Sequence, residues 1–116
     1  VAGHPLPFVL RGNGDVEQVG RPGTLLGVVH DVDLSVVTFV LREGDLVVLF
    51  TDGLVEARRD GEQFGNDRIR EVLGRCAGAA PSEVVSALES AVTTFVRGEP
   101  RDDMAILALG RPVSRA

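Results

Sequence analysis

The apolar spacing of this chain changes period at one point, and that change limits what the chain can build. Up to Phe50 the apolar residues come in short runs, either near a period of two or unbroken, separated by Gly-rich turns. From Asn66 they fall at Ile69, Val72, Leu73, Cys76 and Ala77, the i, i+3, i+4, i+7, i+8 spacing of an amphipathic helix. A last apolar run, Met104 to Gly110, reads as a strand again. Strands and helices are therefore segregated. That argues for an α+β fold with an antiparallel sheet rather than alternating βαβ units.

The order of elements follows from local signals. Pro7–Arg11 and Val16–Val19 flank the Gly12–Asp15 turn and make a hairpin. Gly20–Gly27 is loop, punctuated by Pro22-Gly23. Asp33–Leu41 and Leu46–Thr51 are two longer strands joined by the turn Arg42–Asp45, a second hairpin. The unbroken apolar run Leu46–Thr51 implies burial on both faces. Asn66 is the expected N-cap of the first helix and Gly78 its stop. Pro81 suits the first turn of a second helix, with Glu83 where the dipole favours a carboxylate. Val84, Val85, Leu88, Ala91, Val92, Phe95 and Val96 line its apolar face, and Gly98 and Pro100 stop it.

A chain of 116 residues is one domain by default and long enough to bury a core without staples. Residues 1–110 carry the pattern and 111–116 read as a tail. The basic residues are all Arg and do not cluster, and the net charge is -5, so no nucleic-acid footprint is present. No apolar run approaches the ~20 residues that cross a membrane. The lone Cys76 excludes an internal disulfide and fits a reducing cytosol, so a cytoplasmic location is expected. The chain starts at Val1 inside a patterned segment, which reads as a cut through a longer polypeptide.

Two acidic sites share one grammar. Asp52 follows the strand Leu46–Thr51, and Asp102 and Asp103 immediately precede the strand Met104–Gly110. If those strands are antiparallel neighbours, the carboxylates converge at one sheet edge. Hard cations such as Mg²⁺ and Mn²⁺ prefer carboxylate and water oxygens. Taken singly, each site has a plainer reading: Asp-Gly is among the commonest turn dipeptides, and Asp102-Asp103 suits a solvated turn. The remaining candidates read as structural. His4 sits in a turn set by Pro5, Cys76 falls on the helix stripe, Arg58, Arg59 and Asp60 form a solvated bend, and Arg101 balances the acidic pair.

Taken in order, AGHPLPFVLR, GTLLGV, LREGDLVVLFTDGLVEAR, GEQFG and RDDMAILAL resemble the C-terminal half of the SpoIIE-like sporulation and stress-response branch of bacterial PPM-type, metal-dependent serine/threonine protein phosphatases. The resemblance implies an α-β-β-α sandwich with antiparallel sheets, of which this chain would be a part carrying two helices near its C-terminus. It implies two Mn²⁺ or Mg²⁺ ions and a metal-activated water, with no protein nucleophile. Asp52 and Asp102 match metal-binding aspartates, Asp103 stands beside the second, Gly53 lets the backbone pass close, and the bend Gly61–Gly65 is structural. The implied substrate is a phosphorylated regulatory protein of the anti-sigma-factor antagonist type. The family's first metal motif, a DxxGHG-like segment with the bridging Asp, has no counterpart in these residues. The 116-residue piece is therefore expected to be inactive alone, with one sandwich face uncovered and a dimer invited. The alternative is a degenerate phosphatase-like module that docks a signalling partner without catalysis.

Overall fold

The computed structural model describes residues 5–20, 40–97 and 104–113. The expected strand Asp33–Leu41 lies outside them except for Val40 and Leu41, which carry no strand. Gly98 and Pro100, the expected stop of the second helix, lie outside as well.

The first hairpin forms as the Gly-rich turn demands. Strands β1 (Phe8–Leu10) and β2 (Val16–Gln18) pair antiparallel with Leu10 opposite Val16. The turn is closed by Arg11 N–H donating to Asp15 O at 2.7 Å, and Gly14 takes a φ of 99°, which favours a residue without Cβ. β3 (Leu46–Phe50) pairs antiparallel with β1 on one side and with β6 (Ile106–Gly110) on the other, giving the order β2-β1-β3-β6. The expected adjacency of the two strands that flank the acidic sites is therefore present. Gly110 is opposite Leu46, and a Cβ there would run into the Leu46 side chain and crowd Pro81.

Short elements link β3 to the helices. A single helical turn, α1 (Asp52–Val55), follows β3 directly. β4 (Arg58–Arg59) and β5 (Glu62–Gln63) then form a small hairpin whose turn residues, Asp60 and Gly61, have φ of 52° and 83°. Both central residues at positive φ is the mirror-image turn that suits the right-handed twist of a two-residue hairpin. The segment read as a solvated bend is thus a hairpin, and Arg59 is half-buried.

Helices α2 (Gly65–Gly74) and α3 (Pro81–Val96) pack side by side over one face of the sheet. Ile69, Val72 and Leu73 of α2 are buried, as are Val84, Leu88, Val92 and Phe95 of α3. They meet Phe8, Leu10, Leu46, Val48 and Phe50 from the sheet in one core, with the Phe8 and Phe50 rings stacked 5.9 Å apart. The first helix departs from expectation at both ends. Its first residue is Gly65, at φ 78°, and Asn66 makes no capping hydrogen bond. It stops at Gly74, where Arg75 and Cys76 N–H close tight turns onto Val72 O and Leu73 O. Ala77 is consequently exposed and off the stripe. The second helix begins as expected at Pro81, with the Glu83 carboxylate accepting from Ala80 N–H at 3.0 Å. It ends on Arg97 in the left-handed region, φ 59°.

The other sheet face differs from the two-sided burial expected of β3. Leu49, Leu107 and Leu109 are 41%, 54% and 51% exposed, while Leu46, Val48 and Phe50 alternate with Val47 and Leu49 into the core. The helices cover only one face, so among the described residues the molecule has one β layer and one α layer. This is part of a layered α/β sandwich with an antiparallel sheet. No described helix is long and apolar enough to cross a membrane.

Candidate metal-binding edge

The end of β3 is fixed by two hydrogen bonds that continue the β3–β6 ladder. Thr51 N–H donates to Ala105 O at 3.1 Å, and Ala105 N–H donates to Thr51 Oγ1 at 3.0 Å. The chain then turns immediately into α1. Leu54 N–H donates to Thr51 O at 3.1 Å and Glu56 N–H to Asp52 O at 2.8 Å. Gly53 and Leu54 are buried beneath this turn, and Asp52 is exposed. Asp52 thus has a held backbone and a carboxylate with no hydrogen bond or ion pair to any described residue. The Asp-Gly pair is neither a loose loop nor a hairpin turn. It is the first half of a helical turn locked to the sheet edge.

The rest of the expected set is only partly in view. Gly53 is the buried residue next to Asp52. Asp102 and Asp103 lie outside the described residues, as do His4 and Arg101. Cys76 is half-buried against the core edge, although it lies past the end of α2 rather than on its stripe. Among the described residues, no three His, Cys, Asp or Glu side chains gather into a metal-holding group. The donor chemistry of the edge is one anionic oxygen ligand on a rigid base. That suits a hard divalent cation as a single ligand, while a two-ion centre needs more oxygen donors than Asp52 alone.

A second aspartate, which reads in the sequence as an ordinary turn residue, has the opposite character. Asp45, at the start of β3, is 3% exposed. Its Oδ2 accepts from Arg11 Nη1 and from Arg42 N–H, each at 2.8 Å, and its Oδ1 accepts from Gly12 N–H at 2.8 Å. Burial pushes the Asp45 carboxyl up, but the two backbone donors and Arg11 outweigh it and hold it below the ordinary 3.8. Arg11 also donates to Glu17 at 3.0 Å and to Val40 O at 2.6 Å, so it clamps the first turn against the second. Arg42 is local to the turn, but the other two donors lie 33 and 34 positions away along the chain, beyond the reach of a local pattern.

Comparison with known proteins agrees with this architecture. Stage II sporulation protein E of Bacillus subtilis is 26% identical over 102 residues, spanning 88% of this chain and 12% of that protein. The phosphoserine phosphatase RsbU of Bacillus subtilis is 24% identical over 91 residues, spanning 78% of this chain and 27% of that protein. The manganese-presoaked phosphatase domain of the cell-fate determinant SpoIIE from Bacillus subtilis superposes with a TM-score of 0.77 at 22% identity, over 99% of this chain and 50% of that one. This chain thus covers a small part of each full-length relative and half of the solved phosphatase domain, and its fold is that of the matching half. The model of the family described as stage II sporulation protein E (SpoIIE) matches residues 1–112, and the chain belongs to that family.

Proposed function

We propose that this chain is the C-terminal portion of a cytoplasmic, metal-dependent protein serine/threonine phosphatase. Its substrate would be a phosphorylated regulatory protein of the anti-sigma-factor antagonist type. Family membership and the phosphatase relatives support the reaction class. The observation that carries the site is the antiparallel pairing of β3 with β6, extended by the reciprocal Thr51–Ala105 bonds. Asp52 follows Thr51 directly, and Asp103 is two residues before Ala105. Two residues of chain reach no more than about 8 Å.

In this reading Asp52, Asp102 and the adjacent Asp103 hold two Mn²⁺ or Mg²⁺ ions, with further ligands from the preceding part of the domain. The chemistry those ions supply is the activation of water at neutral pH and the neutralisation of phosphoryl charge. The chain's own contribution is placement. The Thr51–Ala105 lock holds the Asp52 backbone, and buried Gly53 and Leu54 stop the turn from swinging. No serine, cysteine or histidine nucleophile is required.

The test uses the full-length protein with a phosphoserine-bearing anti-sigma-factor antagonist. Phosphate release is expected with Mn²⁺, to be lost on chelation and restored by adding the metal back. Release that survives chelation overturns the metal-dependent reading. Absence of release, with the partner still bound, favours the non-catalytic docking module. The isolated 116-residue chain is expected to turn over no aryl phosphate under the same conditions, because in this reading the remaining metal ligands come from the preceding part of the domain.

A further inference from the structure

The groove between α2 and α3, beside the β4–β5 hairpin, has a composition that neither the core nor the metal-type edge explains. It encloses about 320 Å³ and is lined by Arg59, Arg68, Arg75 and Glu71 around an apolar floor that includes Phe64 and Phe95. Three guanidinium groups against one carboxylate is an unusual lining in a chain whose net charge is -5.

The three arginines are not equally occupied. Arg68 is pinned: it donates to Gln63 O at 2.8 Å, to Phe64 O at 3.0 Å and to Glu62 Oε1 at 2.8 Å. Its guanidinium lies over the Phe95 ring at 4.4 Å from the centroid. Phe95 is held in turn by Phe64, edge to face at 5.5 Å. This makes a rigid wall. Arg59 faces the same ring at 5.3 Å and feels the charge of Glu62 without a hydrogen bond to it. Among the described residues Arg75 pairs only with Glu71, at 3.9 Å, with both side chains about 70% exposed. A pair that open and that long contributes little. Two guanidinium forks therefore face the groove with their donors largely unspent.

A planar guanidinium on an aromatic face, with free forked donors, is suited to take a carboxylate in bidentate fashion. The apolar floor beside it suits an aliphatic or aromatic side chain. We propose that this groove docks an acidic–apolar segment of a partner protein, a carboxylate next to a hydrophobic residue, with Arg59 and Arg75 gripping the acid and the Phe64–Phe95 floor taking its neighbour. Charge complementarity selects this occupant. The inference does not depend on the phosphatase reading, since the groove uses none of the residues assigned to the metals.

The experiment uses the full-length protein and a fluorescein-labelled peptide alternating Glu and Leu, followed by anisotropy, with a Gln–Leu peptide and inorganic phosphate as controls. The Glu–Leu peptide is expected to bind, and the Gln–Leu peptide to bind about tenfold more weakly. Arg59→Glu and Arg75→Glu are each expected to weaken the Glu–Leu complex about tenfold, and raised salt to weaken it further. Arg75 is exposed, so its variant reports on binding even if Arg59→Glu perturbs the hairpin. Equal binding of the two peptides, no effect of either variant, or displacement of the peptide by millimolar phosphate overturns the proposal.

Discussion

Asp45 and Asp52 stand at opposite ends of the same strand, β3, and have opposite surroundings. Asp45 is buried, and both of its oxygens are used by donors, two from the first hairpin's turn and one from its own. Asp52 is exposed, and its carboxylate meets no described donor, although its backbone is as well fixed as that of Asp45. A carboxylate that satisfies three donors is part of the fold's own construction. A carboxylate held in place that meets no described donor is left available for the proposed metal role. The difference sets a structural aspartate apart from the one proposed as a metal ligand.

The sharpest way to break this contrast is Asp52→Asn in the full-length protein. Metal-dependent hydrolysis is expected to fall by more than about a hundredfold, since even indirect supports of a metal site are worth ten- to a hundredfold. Thermal stability should stay within about 0.5 kcal/mol of the parent, because the Asp52 carboxylate makes no bond to a described residue. A melting temperature that drops along with the activity would mean that Asp52 is structural after all.

Asp45→Ala should invert that result. It strands the Gly12 and Arg42 N–H groups and removes one partner of the Arg11 ion pair. A cost of about 3 kcal/mol is expected, the low end for breaking a buried pair, because Arg11 keeps Glu17 and Val40 O. Denaturant titration reads this directly, and activity per folded molecule should be unchanged. Residual activity lost faster than folded protein would place Asp45 in the functional machinery.

Acid sharpens the same contrast. Asp45 holds its proton less tightly in the folded protein than in the unfolded chain, so its contribution is complete above the ordinary carboxylate range. It is lost as pH falls from about 3.8 toward the depressed value. The stability gap between the parent and Asp45→Asn should therefore be widest near neutrality and shrink as pH falls below about 3.8. Guanidinium unfolding at several pH values measures it, and a constant gap would show that charge plays no part at this position.

What the sequence made legible follows from the range of each signal. The two helices rest on apolar periodicity, which is local and strong, whereas the β3–β6 pairing entered the sequence reading only as a condition and is established by the structure. The inward set Val84, Leu88, Val92 and Phe95 was readable residue by residue. The β4–β5 hairpin was not, because Arg58, Arg59, Glu62 and Gln63 show no apolar alternation and only Asp60-Gly61 marks the turn. The half-open sheet face was masked by its own composition, since Leu49, Leu107 and Leu109 are as apolar as buried residues. The end of α2 was overrun because Ala77 continues the stripe in sequence after the helix has stopped. Asp45 was hidden because Arg11 and Gly12, which donate to it, come from a distant turn, while Asp52 was visible as a carboxylate placed directly after an apolar strand.

A third aspartate calibrates the other two and carries the smallest expected effect. Asp60 also precedes a glycine, yet here the pair forms the tight turn itself, with φ of 52° and 83°. What that position needs is tolerance of the left-handed region, which Asn shares with Asp. Asp60→Asn is therefore expected to change stability by less than about 0.5 kcal/mol and to leave hydrolysis unaltered. Gly61→Ala should cost about 1 kcal/mol from backbone strain alone, because nothing lies within 4 Å of the position its Cβ would take. If Asp60→Asn instead reduced hydrolysis as Asp52→Asn does, an exposed aspartate before glycine in this region would not be enough to identify the metal ligand. The identity of the dipeptide does not distinguish Asp52 from Asp60. What distinguishes them is the lock of Thr51 onto Ala105, which ties Asp52 to the sheet.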